Sequence, residues 1–94
     1  MLALAPDETL LVGGWSATSR GVEADAICQR ITALVEGGLV LLAASPDGWA
    51  RLFRDPSDGR LWELTHPQSA MHGGGPPCLR NITDDAAYVT YGSF

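Results

Sequence analysis

The stretch WARLFRDPSDGRLWELT, residues 49 to 65, decides the fold. Trp49 to Asp55 and Arg60 to Thr65 are two runs of alternating character joined by Pro56-Ser57-Asp58-Gly59, the pattern of an antiparallel β-hairpin. Strand side chains alternate between faces, so Trp49, Arg51, Phe53 and Asp55 share one face and Ala50, Leu52 and Arg54 the other. In the second run Leu61, Glu63 and Thr65 alternate with Trp62 and Leu64. Both faces are mixed, which fits a sheet with a large aromatic set on one face and a helix covering the other.

Upstream of the hairpin, Ser45-Pro46-Asp47-Gly48 is a β-turn signature with proline at its second position. The run Leu39 to Ala44 before it is wholly apolar and reads either as a buried strand or as a further helical turn. From Val22 to Glu36 the residues Ile27, Ile31, Leu34 and Val35 form the stripe of an amphipathic helix, with Glu23 and Asp25 in its first turn. Gly37 and Gly38 supply its stop. Residues 2 to 15 read as an extended arm, a short strand or a strap over the core, with a polar loop between Trp15 and Gly21. Downstream, HPQSAMHGGGPP (66 to 77) is a long loop, because three glycines and three prolines forbid regular structure. Cys78 to Ile82 is a short strand, and Thr83 caps a final helix with Asp84 and Asp85 in its first turn and Ala87, Tyr88 and Tyr91 available to dock it. The expected architecture is α+β: an amphipathic helix and a short C-terminal helix packed on a small antiparallel sheet around the 49-55/60-65 hairpin, all within one domain over 1 to 94.

Composition narrows the function. The 94 residues are 46% apolar and 18% charged, ordinary for a chain that folds. The longest apolar or glycine run, Gly37 to Ala44, is far short of the about 20 residues that a membrane span needs. The start, MLALAPDETLL, has no basic region and carries Asp7 and Glu8 where a leader would be apolar, so the expectation is a cytoplasmic protein. Eleven acids face six bases, all arginine, for a net charge of −5. Such a chain repels nucleic-acid phosphates and anionic lipids, and long-range attraction would instead favour a basic partner. Cys28 and Cys78 read as buried reduced thiols.

No catalytic constellation emerges. His72-Gly73-Gly74-Gly75 resembles the glycine motif that supplies oxyanion-hole amides in lipases, but no Gly-x-Ser-x-Gly elbow accompanies it. His66, His72, Cys28 and Cys78 lack the spacing of a zinc site, so no metal or other cofactor is expected. Asp55, Asp58 and Glu63 gather carboxylates near the hairpin, yet aspartates around a Pro-x-Asp-Gly turn cap backbone amides, and Arg60 or Arg54 can pair with what remains. Trp49 and Trp62 read as core or protein-interface anchors.

Gly48-Trp49, Asp55-Pro56, Asp58-Gly59-Arg60, Trp62-Glu63-Leu64-Thr65, Pro67-Gln68-Ser69 and His72 to Pro77 together form a pattern that resembles the immunity protein 27 family of bacterial polymorphic-toxin systems. The resemblance extends upstream through Leu11, Gly13, Gly14, Trp15, Asp25 and Arg30-Ile31, and downstream to the helix around Tyr91. His66 and Phe53 stand where tyrosines are more usual, and Gly37-Gly38 interrupts what is a longer helical stretch in relatives. The resemblance implies a non-enzymatic protein that binds the toxin domain encoded beside it and blocks it. Acidic residues facing a basic active site would fit a nuclease. Trp49, Asp55, Asp58, Arg60, Trp62, Glu63 and His72 are the candidates for the region around the binding surface, against the alternative that most of them hold the hairpin and its loop together. Two other classes stand beside this one: a structural or adaptor module, monomeric or a weak homodimer through a sheet edge, and a small hydrolase or metal-dependent enzyme centred on His72.

Overall fold

The computed structural model describes residues 4–18, 21–67 and 75–94, with the backbone alone for 15–24. What the sequence predicts for residues 1 to 3, for 19 and 20, and for 68 to 74, His72 among them, lies outside the described residues. The chain runs β1 (Leu10–Val12), β2 (Trp15–Thr18), β3 (Gly21–Ala24), α1 (Ala26–Ala33), a π-helical turn (Leu34–Gly38), β4 (Val40–Ala44), β5 (Arg51–Arg54), β6 (Leu61–Thr65), β7 (Cys78–Ile82) and α2 (Asp84–Tyr91). Five strands make one antiparallel sheet in the order β1-β7-β6-β5-β4, and β2 pairs with β3 in a separate ribbon.

The predicted hairpin is β5 and β6, in the register Arg51↔Leu64 to Arg54↔Leu61. Its connection is closed by the Gly59 N–H on the Asp55 carbonyl at 2.7 Å and the Asp55 N–H on the Arg60 carbonyl at 2.9 Å. Gly59 has φ +78, a left-handed conformation in which glycine avoids the Cβ clash. The Ser45–Gly48 turn also forms, with the Gly48 N–H on the Ser45 carbonyl at 2.9 Å. The 39-to-44 run resolves as a strand: Val40 to Ala44 pairs along β5 at the sheet edge, with a bulge between Leu41 and Ala43. It is not buried, for Val40 and Leu41 are each about half exposed.

Both faces of the sheet are covered: the helix expected opposite the aromatics is α2, and the aromatic face carries a helix as well. Phe53, Trp62, Leu64, Leu79 and Leu11 pack with Ile31 and Leu34 of the first helix, so the aromatics lie beneath α1 and its π turn. On the other face Leu52 and Leu61 meet Ala87 of α2, flanked by Leu42, Ala43, Ile82 and Tyr91. Alternation along β5 and β6 feeds both clusters at once, and the mixed pattern in the sequence records this. Tyr88, predicted to dock α2, is instead 64% exposed, because Ala87 and Tyr91 already fill the side facing the sheet.

The first helix starts later than its apolar stripe indicates. Asp25 is its N-cap, accepting the Cys28 N–H at 2.8 Å, and Glu23 belongs to β3 rather than to the first helical turn. Val22, Glu23 and Ala24 pair with Ala17, Ser16 and Trp15, so part of the stretch read as a polar loop is a ribbon. Thr83 caps α2 as expected, accepting the Ala86 N–H at 3.1 Å. Cys28 and Cys78 are both buried and free. Burial, with the Asp25 carboxylate beside it, pushes the Cys28 thiol up, and it donates to the Gly14 carbonyl at 3.2 Å.

Gly13 and Gly37 make opposite demands on their surroundings. A Cβ on Gly13 would stand 2.6 Å from Cys28 Sγ and 2.8 Å from the Pro77 carbonyl oxygen, whereas one on Gly37 would meet nothing within 4 Å. Urea melts should therefore show Gly13→Ala destabilised by about 1–3 kcal/mol, the usual cost of overpacking. Gly37→Ala, in a helical turn, should be neutral or more stable by up to about 1 kcal/mol.

Candidate functional site

His72 lies outside the described residues, and the other six predicted residues do not converge on one surface; the β5–β6 hairpin distributes them between its two ends and the core beneath it. At the connecting end stand Asp55, Asp58 and Arg60. Asp55 is buried, and its Oδ1 accepts the Ser57 N–H at 2.9 Å and the Ser57 hydroxyl at 2.7 Å, while Oδ2 has no hydrogen-bond partner among the described residues. Asp58 accepts the Arg60 N–H at 2.9 Å and pairs with Arg60 Nε at 2.7 Å. Its carboxyl is held below the usual range first by that backbone N–H and then by the guanidinium. Both aspartates therefore do the turn work that their sequence context indicates.

Arg60 reaches further. Its two terminal nitrogens donate to the carbonyls of Glu8 at 2.6 Å and Ala5 at 2.9 Å, and its guanidinium lies 5.0 Å over the Trp62 ring. It straps the N-terminal arm to the hairpin. Glu8 completes the strap with two contacts to Arg30 of α1, at 2.5 and 2.6 Å, and by accepting the Ala5 N–H at 2.7 Å. The hydrogen bonds from Arg30, then that from Ala5, hold the Glu8 carboxyl down at about 2.

Trp62 is wholly enclosed, with its indole N–H unpaired among the described residues, and it presents no surface to a partner. Glu63 is on the opposite face from Trp62, nearly buried, and satisfied by Arg80 at 2.9 Å and by the Tyr91 hydroxyl at 2.8 Å. Burial, and next the Glu63 carboxylate, push the Tyr91 phenol upward, so it serves as a donor and pins α2 to the sheet. Trp49 occupies the far end of the hairpin, 55% exposed, edge-on to His66 with ring centroids 6.2 Å apart. Arg51, one step along the same face, lies 6.0 Å from the Phe53 ring.

Sequence reasoning missed a cavity of about 430 Å³ beside the connecting end. Leu4, Leu34 and Leu39 give it apolar walls, Gly37 and Gly38 leave one side open, and Asp55 lines another. The paired glycines were the available signal, but at a helix end they read first as a stop. Among the described residues no group of three or more His, Cys, Asp or Glu side chains could hold a metal ion, and no helix is long and apolar enough to cross a membrane.

Around the hairpin the described residues thus bring together turn-capping carboxylates, the Glu63–Arg80 ion pair and exposed aromatic and apolar side chains. The family model of immunity protein 27 matches residues 17–83, more than two thirds of the chain and the whole span from β3 to β7. The chain belongs to the immunity protein 27 family. No curated protein and no solved structure matches it. The Immunity protein 27 match takes in Trp49, Asp55, Asp58, Arg60, Trp62, Glu63 and His72, and it stops before α2.

Two outcomes follow from the polar contacts. Because the folded Glu8 pKa lies below its ordinary 4.5, its contribution to stability is complete above about pH 4.5 and is lost as the pH falls toward 2. Acid titration of the melting temperature should show Glu8→Gln less stable than the parent at pH 7, with the difference closing below pH 4. Tyr91→Phe removes a donor from a nearly buried carboxylate and should cost about 1–2 kcal/mol in chemical denaturation.

Proposed function

We propose that this protein binds the toxin domain encoded beside it and neutralises that toxin by stoichiometric association, without turnover. Membership of the immunity protein 27 family is the observation that carries the reading. The chemistry of the described residues supports it. Asp55 caps its turn, Glu63 pairs with Arg80, and no group of three or more His, Cys, Asp or Glu side chains among the described residues could hold a metal ion. The exposed groups, by contrast, are of the kinds that interfaces use: an exposed tryptophan, arginines and free acids.

The surplus of acids over bases, for a net −5, favours a basic target and a fast, salt-sensitive encounter with it. A nuclease whose active site must attract phosphates is such a target. Trp49, Asp58 and Arg60, at the accessible parts of the hairpin, are our candidates for direct contact. Trp62 and Glu63 hold the surface in shape from behind, Asp55 lines the cavity beside it, and His72 stays a candidate by its place in the loop. The action takes place in the cytoplasm of the producing cell, with this chain a monomer or a weak homodimer.

Co-expression tests this reading. The toxin domain alone should arrest growth, its co-expression with this protein should restore growth, and the pair should elute as a one-to-one complex from a sizing column. Growth arrest that persists, with the two proteins eluting separately, excludes the reading for that toxin.

A further inference from the structure

We propose that the cavity between the first helix and the hairpin loop is a receptor for an arginine side chain presented by the protein partner; this deepens the immunity reading and rests on it. The cavity's volume of about 430 Å³ exceeds what one side chain fills, so it also admits the backbone that carries it. Its walls at Leu4, Leu34 and Leu39 suit an aliphatic stem. Two features then favour a positive charge at the stem's end, and a third concerns the way in.

The first is Asp55. It lines the cavity, is only 5% exposed, and its Oδ2 has no hydrogen-bond partner among the described residues. Oδ2 is not among the buried unpaired polar atoms of the described residues, so it keeps contact with solvent and stays open to a donor brought into the cavity. The arginines close by are engaged or turned away. Arg60 is held by Asp58 and by the carbonyls of Ala5 and Glu8, and Arg30 by Glu8. Arg54 belongs to the other face of β5, since Phe53 beside it is on the α1 side.

The second is the end of the first helix. Helical backbone runs without a break from Ala26 through Gly38, and its last turn lines the cavity. The final carbonyls carry the negative end of the helix dipole, and no basic side chain of the helix itself stands in that turn to answer it. Exposed Glu36, in the same turn, adds a full negative charge near the rim.

The third is the absence of side chains at Gly37 and Gly38. A Cβ on Gly37 would meet no atom within 4 Å and one on Gly38 only Leu34 Cδ2 at 3.5 Å, so there is open space at the cavity's edge that a larger side chain could occupy. Arginine suits the site better than lysine: its guanidinium sheds water more readily and its planar fork can meet a carboxylate and backbone carbonyls together.

The test uses the full chain. Titration of isotope-labelled protein with n-butylguanidinium should shift the amide signals of Gly37, Gly38 and Ser57 saturably. Gly37→Leu, whose Cβ meets no neighbour and whose longer side chain can occupy the cavity's edge, should weaken that response at least tenfold while leaving the urea midpoint near that of the parent. In calorimetry with the neighbouring toxin domain, Gly37→Leu and Asp55→Asn should each weaken association at least tenfold. Asp55→Asn keeps an acceptor for the Ser57 turn and should also flatten the salt dependence, while Tyr88→Ala on exposed α2 should bind as the parent does.

No saturable response in the parent, or an unchanged one in Gly37→Leu, overturns the site. A response to n-butylguanidinium combined with unaltered toxin affinity in both variants overturns the partner side chain as its occupant and leaves a small free cation instead. A parent that responds to n-butylguanidinium but does not associate with the toxin overturns the immunity reading for that toxin, and the occupant assigned here with it.

Discussion

Strand β6 is enclosed from both sides, and the rest of the structure is arranged around that constraint. Leu61, Trp62, Glu63 and Leu64 are each under a tenth exposed, with the first helix over Trp62 and Leu64 and α2 over Leu61 and Glu63. A strand with two buried faces in a chain of 94 residues needs a helix on each face, and the chain supplies one from either side of the hairpin in sequence. Burying Glu63 in that position carries a desolvation cost that apolar residues avoid. The cost is offset by Arg80 from the neighbouring strand and by the Tyr91 hydroxyl from α2. The charge therefore ties β6, β7 and α2 together, and displacing either β7 or α2 would take one of the carboxylate's two donors from it.

The hairpin, both turns, β7 and the cap of α2 were legible because each depends on local chemistry: alternation, proline and glycine at turn positions, and a threonine followed by two aspartates. The start of the first helix was misread for a physical reason. Val22, Glu23 and Ala24 extend the helical stripe acceptably, but pairing with Trp15 to Ala17 satisfies their backbone groups in a ribbon instead, and Asp25 then begins the helix as its cap. Alternation could not reveal that the faces of β5 and β6 are both covered, since a mixed face looks the same whether a helix or water lies above it. The family itself was legible from the hairpin and the loop after it, and the family match spans those residues.

Less of the candidate site could be read. Residue type marked Trp62 and Trp49 as equivalent aromatics, and only the pairing of β6 between two strands separates a buried anchor from an exposed one. Asp55 and Asp58 were correctly read as turn residues, because a carboxylate two residues ahead of an N–H has a short path to it. The cavity required a tertiary view. Its walls come from the arm, the first helix and the hairpin loop, three segments more than 15 residues apart in sequence.

All six basic residues are arginine, and the structure shows what that choice does. Arg60 makes one ion pair, two contacts to backbone carbonyls of the arm and a stacking contact over Trp62, all from a single planar group. A lysine has one nitrogen on a flexible stem and could not hold these directions together. Arg30 likewise meets both oxygens of Glu8. The fork geometry lets two side chains fasten the arm that carries Leu4 and Leu11 into the core, and the arm in turn forms one wall of the cavity. Loosening Arg60 would thus act on the surface in two ways, by freeing the Asp58 turn and by withdrawing Leu4. The same residue sets the shape of the hairpin end and of the hollow beside it, so the two regions cannot vary independently.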